Sequence, residues 1–186
     1  MKEHERALLG RGANREAKSK RILMLITDFG QGGAERVFYD HATAFAQVYS
    51  VEEAVFERSS MAVRAYDSGL PVHELRRSGI FRHLGPLGRL VGRALALRRL
   101  VRDQGYDVVI SHMDGANWVN VLSFSSARKL LVVHGSVRGD KSYGNNHQLV
   151  RRNLIFPVLY NLADYTVAVS DGIFHELRSE CGVKRG

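Results

Sequence analysis

The residues best suited to chemistry lie at the ends of apolar runs. The segment Asp28-Phe-Gly-Gln-Gly-Gly-Ala-Glu35 sets three glycines within four positions, after one apolar run and before a stretch of helical periodicity. A glycine turn that opens a helix can hold an anion, because unpaired N–H groups and the positive end of the helix dipole converge there. The competing reading is that glycine merely lets the helix pack close to the strand. Three further runs end on polar residues, at Ser111-His112, His134-Gly135 and Ser170-Asp171-Gly172. If these runs are parallel strands, their ends share the rim where ligands of open α/β sheets bind. The glycine loop is then the anion-binding candidate, and His134 a candidate functional group at that rim. His112, Ser170, Asp171 and Glu35 are candidate cleft residues. Three of these have a structural alternative: His112 and His134 as buried, hydrogen-bonded histidines, a reading favoured for His112 and not for His134, and Glu35 as a complement to the helix dipole.

His41 falls on an inward helical stripe and reads as packing. The other histidines lack the spacing of metal ligands, and the single cysteine, Cys181, builds no thiolate cluster, so no metal site is expected. None of Ser111, Ser136 and Ser170 sits in a Gly-x-Ser-x-Gly elbow, which sets aside a serine hydrolase.

The elements that must position these residues follow from periodicity. Residues 21–27, Arg-Ile-Leu-Met-Leu-Ile-Thr, form a continuous apolar run, the mark of a strand buried on both faces. A helix is predicted from near Ala34, with Val37, Phe38, His41, Ala42, Phe45 and Ala46 as its inward stripe. Strands are expected at 51–56, 72–75, 107–111, 129–133 and 165–169, and helices at 84–104, 116–125, 149–162 and 171–180. Gly105 stops the second helix, and Pro157 interrupts or kinks the fourth. Alternation of this kind predicts an α/β fold, a Rossmann-like doubly wound parallel sheet flanked by helices. Residues 1–20 read as a disordered basic tail, 21–183 as one domain, and 136–148 as a polar loop within it.

Composition bounds the partners. The 186 residues are 45% hydrophobic and 25% charged, which excludes collagenous, disulfide-scaffold and wholly disordered chains. Lys and Arg outnumber Asp and Glu by 27 to 19, a net charge of +8 that favours anionic partners. The N-terminal stretch lacks a signal-peptide core, and no window approaches the roughly 20 apolar residues of a membrane span. With one cysteine, a reducing, cytoplasmic location is expected, peripheral at most on the inner face of a membrane.

A dinucleotide site is the first alternative to weigh at the glycine loop. Gly30 and Gly32 fit the first two positions of Gly-x-Gly-x-x-Gly/Ala, and Glu57 lies at a suitable distance for a ribose-binding acid. The last position is Glu35, which obstructs close packing and repels a pyrophosphate. An NAD-type fragment, or another phosphate-binding module without transferase activity, is therefore the runner-up. The ordered set Gly32-Gly-Ala-Glu35, Asp107-Val-Val-Ile-Ser-His112, Leu131-Val-Val-His134 and Ala163-Asp164 through Val169-Ser-Asp-Gly172 resembles the N-terminal domain of family 4 glycosyltransferases. These are GT-B enzymes, in which two Rossmann-like domains face each other across a cleft.

The resemblance implies retaining transfer of a glycosyl group, of hexosyltransferase type, from a UDP- or GDP-linked sugar. It places Gly32 and Gly33 at the donor diphosphate and His134 beside the transferred sugar, with no metal and no cofactor. In that family a C-terminal domain binds the donor through a Glu-x7-Glu motif that this sequence lacks. Residues 184–186 would thus begin the linker to it, and the chain alone is expected to be inactive. Acceptors of the family include saccharides and lipid-linked sugars, often for cell-envelope polysaccharide. The basic stretch from Arg76 to Arg102, with Arg82, Arg89 and Arg93, reads either as the solvated face of an amphipathic helix covering the sheet or, as the resemblance allows, as a patch for an anionic membrane surface or acceptor. One helical face is read as Leu84, Leu87, Val91, Leu95 and Arg98, with Leu90, Leu97 and Val101 close by. Nucleic acid is not expected, because no recognised motif is present and aromatics do not interleave with the arginines. An exposed cleft face makes self-association an expectation as well.

Overall fold

The computed structural model describes residues 20–57, 65–76, 81, 85–136, 149–184 and 186. The tail at 1–19, Arg82 and most of the expected loop, 137–148, lie outside the described residues. Six strands form one sheet: β1 (Arg21–Ile26), β2 (Ser50–Val55), β3 (Val72–Glu74), β4 (Val108–His112), β5 (Arg128–Val133) and β6 (Tyr165–Ala168). All neighbours pair in parallel, in the order β3-β2-β1-β4-β5-β6. The connections run outward in opposite directions from β1 and β4, so the topological switch point lies between those two strands. Ile26 pairs with His112, and His112 with Val132, so the glycine loop, His112 and His134 emerge side by side.

The pleat of β1 divides the core. Ile22, Met24 and Ile26 face one side, where they join Phe38 and Ala42 of α1 (Gly33–Ala46). Leu23 and Leu25 face the other, against α2 (Gly85–Gln104) and α3 (Asp114–Leu122). A third cluster packs Leu131 and Val133 of β5 on Phe156 of α4 (Phe156–Leu159) and Leu177 of α5 (Asp171–Ser179). The near-complete burial of β1 follows from its sandwiching between helical layers.

One expectation needs correction and another is refined. The inward face of α2 is rotated from the expected one: Leu87 and Val91 are exposed, whereas Leu97 and Val101, expected beside that face, are buried together with Gly88, Gly92 and Ala94. Leucines around the whole circumference conceal which stripe turns inward. The helix expected at 149–162, interrupted or kinked by Pro157, is helical along its length but changes type from turn to turn. A widened π-turn, Arg151–Ile155, precedes α4, and a 3-10 turn, Tyr160–Leu162, follows it. Pro157 supplies no N–H and crowds the carbonyl one turn back, which accounts for the widening before it.

Candidate functional site

Three histidines meet at the carboxyl rim. His112, the last residue of β4, is fully buried, with the ring of Phe38 edge-on at 5.2 Å and that of His41 at 5.3 Å. His134, one residue past β5, places Nε2 2.9 Å from Nδ1 of His112. His41 does pack against Phe45, as the helical stripe predicts, but it also joins this cluster.

Burial keeps the cluster neutral. His134 is pushed down to about 4, by burial first and then by His41, with Asp114 opposing. His112 falls well below its ordinary value through burial, His134 and His41. His41 is lowered by burial against the pull of Asp40. A histidine held neutral in the fold is protonated first in the unfolded chain, so stability is full above about pH 6.5 and is lost as pH falls. Urea titrations should show about 2 kcal/mol lost between pH 6.5 and 5 from His112 alone. A His112→Asn variant should flatten that slope; an equal slope in both proteins would place the protons elsewhere.

The glycine loop differs from a conformationally demanding turn. Gly32 caps α1 in an extended conformation, and neither Gly30, Gly32 nor Gly33 is left-handed. What Gly30 and Gly32 supply is room for Glu35. A Cβ at Gly30 would lie 2.8 Å from one carboxylate oxygen of Glu35, and a Cβ at Gly32 2.6 Å from the other. Glu35 is the third residue of α1 and folds back over the loop, as the acid of a capping box does. Beside Gly33 the space is open, with nothing within 4 Å of a Cβ there.

The start of α3 holds features that the sequence reading missed. Met113, between His112 and Asp114, has φ of +74°, a backbone state that non-glycine residues rarely adopt and that clusters at functional sites. Gly115 lets α3 close onto β1, since a Cβ would sit 2.9 Å from Cγ2 of Thr27. Asp114 accepts a hydrogen bond from the Tyr160 hydroxyl at 2.7 Å and pairs with the buried guanidinium of Arg151. Behind it, the Ser111 hydroxyl donates to Asn117 at 2.8 Å, and Asn120 donates to Ser111 at 3.1 Å. The available signal was a polar cluster, Asp114, Asn117 and Asn120, on a helix of otherwise apolar pattern.

Ser170 caps α5, its hydroxyl accepting from the Ile173 amide at 3.4 Å, and Asp171 sits exposed in the first turn. Both occupy the same edge of the sheet as the histidines, and among the described residues no hydrogen bond or ion pair joins them to the cluster. Between α2 and α3 a cavity of about 330 Å³ is lined by Phe56, Pro86, Arg89, Leu90, Arg93 and Val119. Arg93 stacks 4.2 Å over the Phe56 ring and pairs with Glu57 at 2.9 Å. Glu57, the acid that a dinucleotide site needs at its ribose, is therefore engaged elsewhere. Arg76 and Arg102 also meet carboxylates, Glu74 and Asp103, so the basic stretch is less bare in space than in sequence. Among the described residues no cluster of metal-ligating side chains forms, and no helix is long and apolar enough to cross a membrane.

The sequence profile of Glycosyltransferase Family 4 matches residues 31–186. No curated protein sequence matches the chain. Among solved structures it is similar to HepE from Anabaena in complex with UDP-glucose, with a TM-score of 0.61 at 16% identity over 88% of this chain and 42% of that one. Sucrose-phosphate synthase from Thermosynechococcus elongatus gives 0.62 at 13% identity, over 89% and 47%. The lipopolysaccharide outer core galactosyltransferase WaaB, in its apo form, gives 0.54 at 19% identity, over 86% and 42%. The likeness to these three is one of fold, and the chain spans less than half the length of each.

Proposed function

The chain belongs to glycosyltransferase family 4, and on that premise we propose that it is the N-terminal, acceptor-binding domain of an enzyme that transfers a glycosyl group from a nucleotide sugar with retention. The observation that carries this reading is the meeting of an open glycine loop and a histidine cluster at the β1/β4 switch point. The donor diphosphate lies against the amides at Gly32 and Gly33, with Gly33 the unobstructed one. His134 stands beside the transferred sugar. Helix dipoles and backbone donors, rather than a metal, offset the charge on the leaving diphosphate. A UDP- or GDP-linked hexose suits this arrangement, and the UDP-glucose held by HepE favours the former.

The acceptor is a saccharide or a lipid-linked sugar of a cell-envelope polysaccharide. The cavity at Arg89 and Arg93, with Leu87 and Val91 exposed on the same helix, supports an anionic, amphiphilic partner and a peripheral position on the cytoplasmic membrane face. Tyr165 and Val167, exposed on one face of β6, support self-association. Transfer by the full-length gene product from UDP- and GDP-sugars, with the anomeric configuration of the product read by NMR, tests the proposal.

A further inference from the structure

The hydrogen bond between the two rim histidines constrains which ring nitrogens carry protons. At 2.9 Å, one proton lies between Nδ1 of His112 and Nε2 of His134. Two arrangements are available to a pair of neutral imidazoles. If His134 were the donor, the proton of His112 would reside on Nε2. That atom is buried and has no hydrogen-bond partner among the described residues, where the rings of Phe38 and His41 pack against its imidazole. A buried N–H without an acceptor is rarer in folded proteins than an acceptor short of a donor. The alternative leaves only a bare lone pair there.

We infer that His112 positions His134: its Nδ1–H donates to Nε2 of His134, fixing His134 as the Nδ1–H tautomer. Among the described residues no hydrogen bond engages Nδ1 of His134. His134 therefore offers a ligand a donor rather than a lone pair. It binds a hydroxyl or phosphate oxygen and does not serve as a general base. His112 acts only through His134 and touches no ligand.

The groups facing this pair are few. His41 approaches from α1 with Asp40 beside it, and Asp114 comes from α3, already held by Arg151 and Tyr160. Burial keeps both rings neutral, and His134 remains so down to about 4. The donor character of His134 thus persists across the neutral range. That the ligand is a sugar donor rests on the reading above; the tautomer does not.

Long-range proton–nitrogen NMR of the histidine rings in the full chain at pH 7 reads the tautomers directly. The expected result is a protonated Nδ1 and an unprotonated Nε2 in both His112 and His134. His112→Asn keeps an amide donor near the position of Nδ1 and should preserve the His134 tautomer. His112→Leu removes the donor and should move the His134 ratio at least about tenfold toward Nε2–H. A wild-type His134 protonated on Nε2, or a tautomer unmoved by His112→Leu, would overturn the inference. The wild-type spectrum decides even if the leucine variant fails to fold. Failure of the transfer reaction with the tautomer intact would count against the functional reading alone.

Discussion

Replacing Gly33 with Ala should cut glycosyl transfer by about 100-fold, as loss of a backbone anion contact does, while the thermal midpoint stays where it was. The two halves of that expectation rest on one observation. A Cβ at Gly33 meets nothing within 4 Å, and the residue is not left-handed, so the fold has no need of glycine there. Alanine in the first turn of a helix is tolerated or mildly stabilising. Any penalty must then come from what approaches the loop from outside. A diphosphate drawn onto the amides would meet the new methyl group. Gly32→Ala is the less clean experiment, because its Cβ would displace the Glu35 carboxylate, 2.6 Å away, before any ligand arrived. Transfer rates and circular-dichroism melts of both variants separate these effects. Full activity in Gly33→Ala would remove the diphosphate from this loop.

Asp114→Ala should cost about 3 kcal/mol of stability and lower the thermal midpoint by about 6–12 °C. Arg151 has only 7% of its side chain exposed, and Asp114 25%, so the pair is largely withdrawn from water. Removing the carboxylate takes a short-range ion-pair partner from the largely buried guanidinium and leaves the Tyr160 hydroxyl without its acceptor. Asp114→Asn retains an oxygen for Tyr160 and should lose less. If Asp114 and Arg151 act as a pair, the cost of Asp114→Ala should be smaller in an Arg151→Met background than in the wild type. Urea denaturation measures all three, and a cost below about 1 kcal/mol for the alanine variant would mean that the pair behaves as a solvated one. The same carboxylate lies close enough to oppose the lowering of the His134 pKa, so the variant should also disturb the rim.

The parallel sheet was legible because its strands are short apolar runs between helical stretches, and Arg21–Ile26 shows this most plainly. Strand ends could be read as well, which brought Gly33, His112 and His134 to one rim before any coordinates. What the sequence hid was set by tertiary contact. His41, His112 and His134 lie far apart in the chain and meet only because β4 and β5 are neighbours and α1 packs over them. The inward face of α2 was misread in part because leucines surround that helix and two of its buried positions are glycines. The strain at Met113 has no sequence signature, since methionine favours ordinary helical and extended states. The glycine loop was read for its anion-holding amides, and the sequence did not show that the space freed at Gly30 and Gly32 is taken by Glu35.

The central claim is that the rim between β1 and β4 serves transfer from a nucleotide sugar. Its most direct test is to supply the full-length gene product with UDP- or GDP-linked hexose and a saccharide or lipid-linked acceptor, and to follow product and anomeric configuration by NMR. The account predicts a glycosylated product with the donor's configuration retained, and a rate that falls about 100-fold in His134→Ala. Undiminished turnover in His134→Ala, or an inverted product, would contradict it.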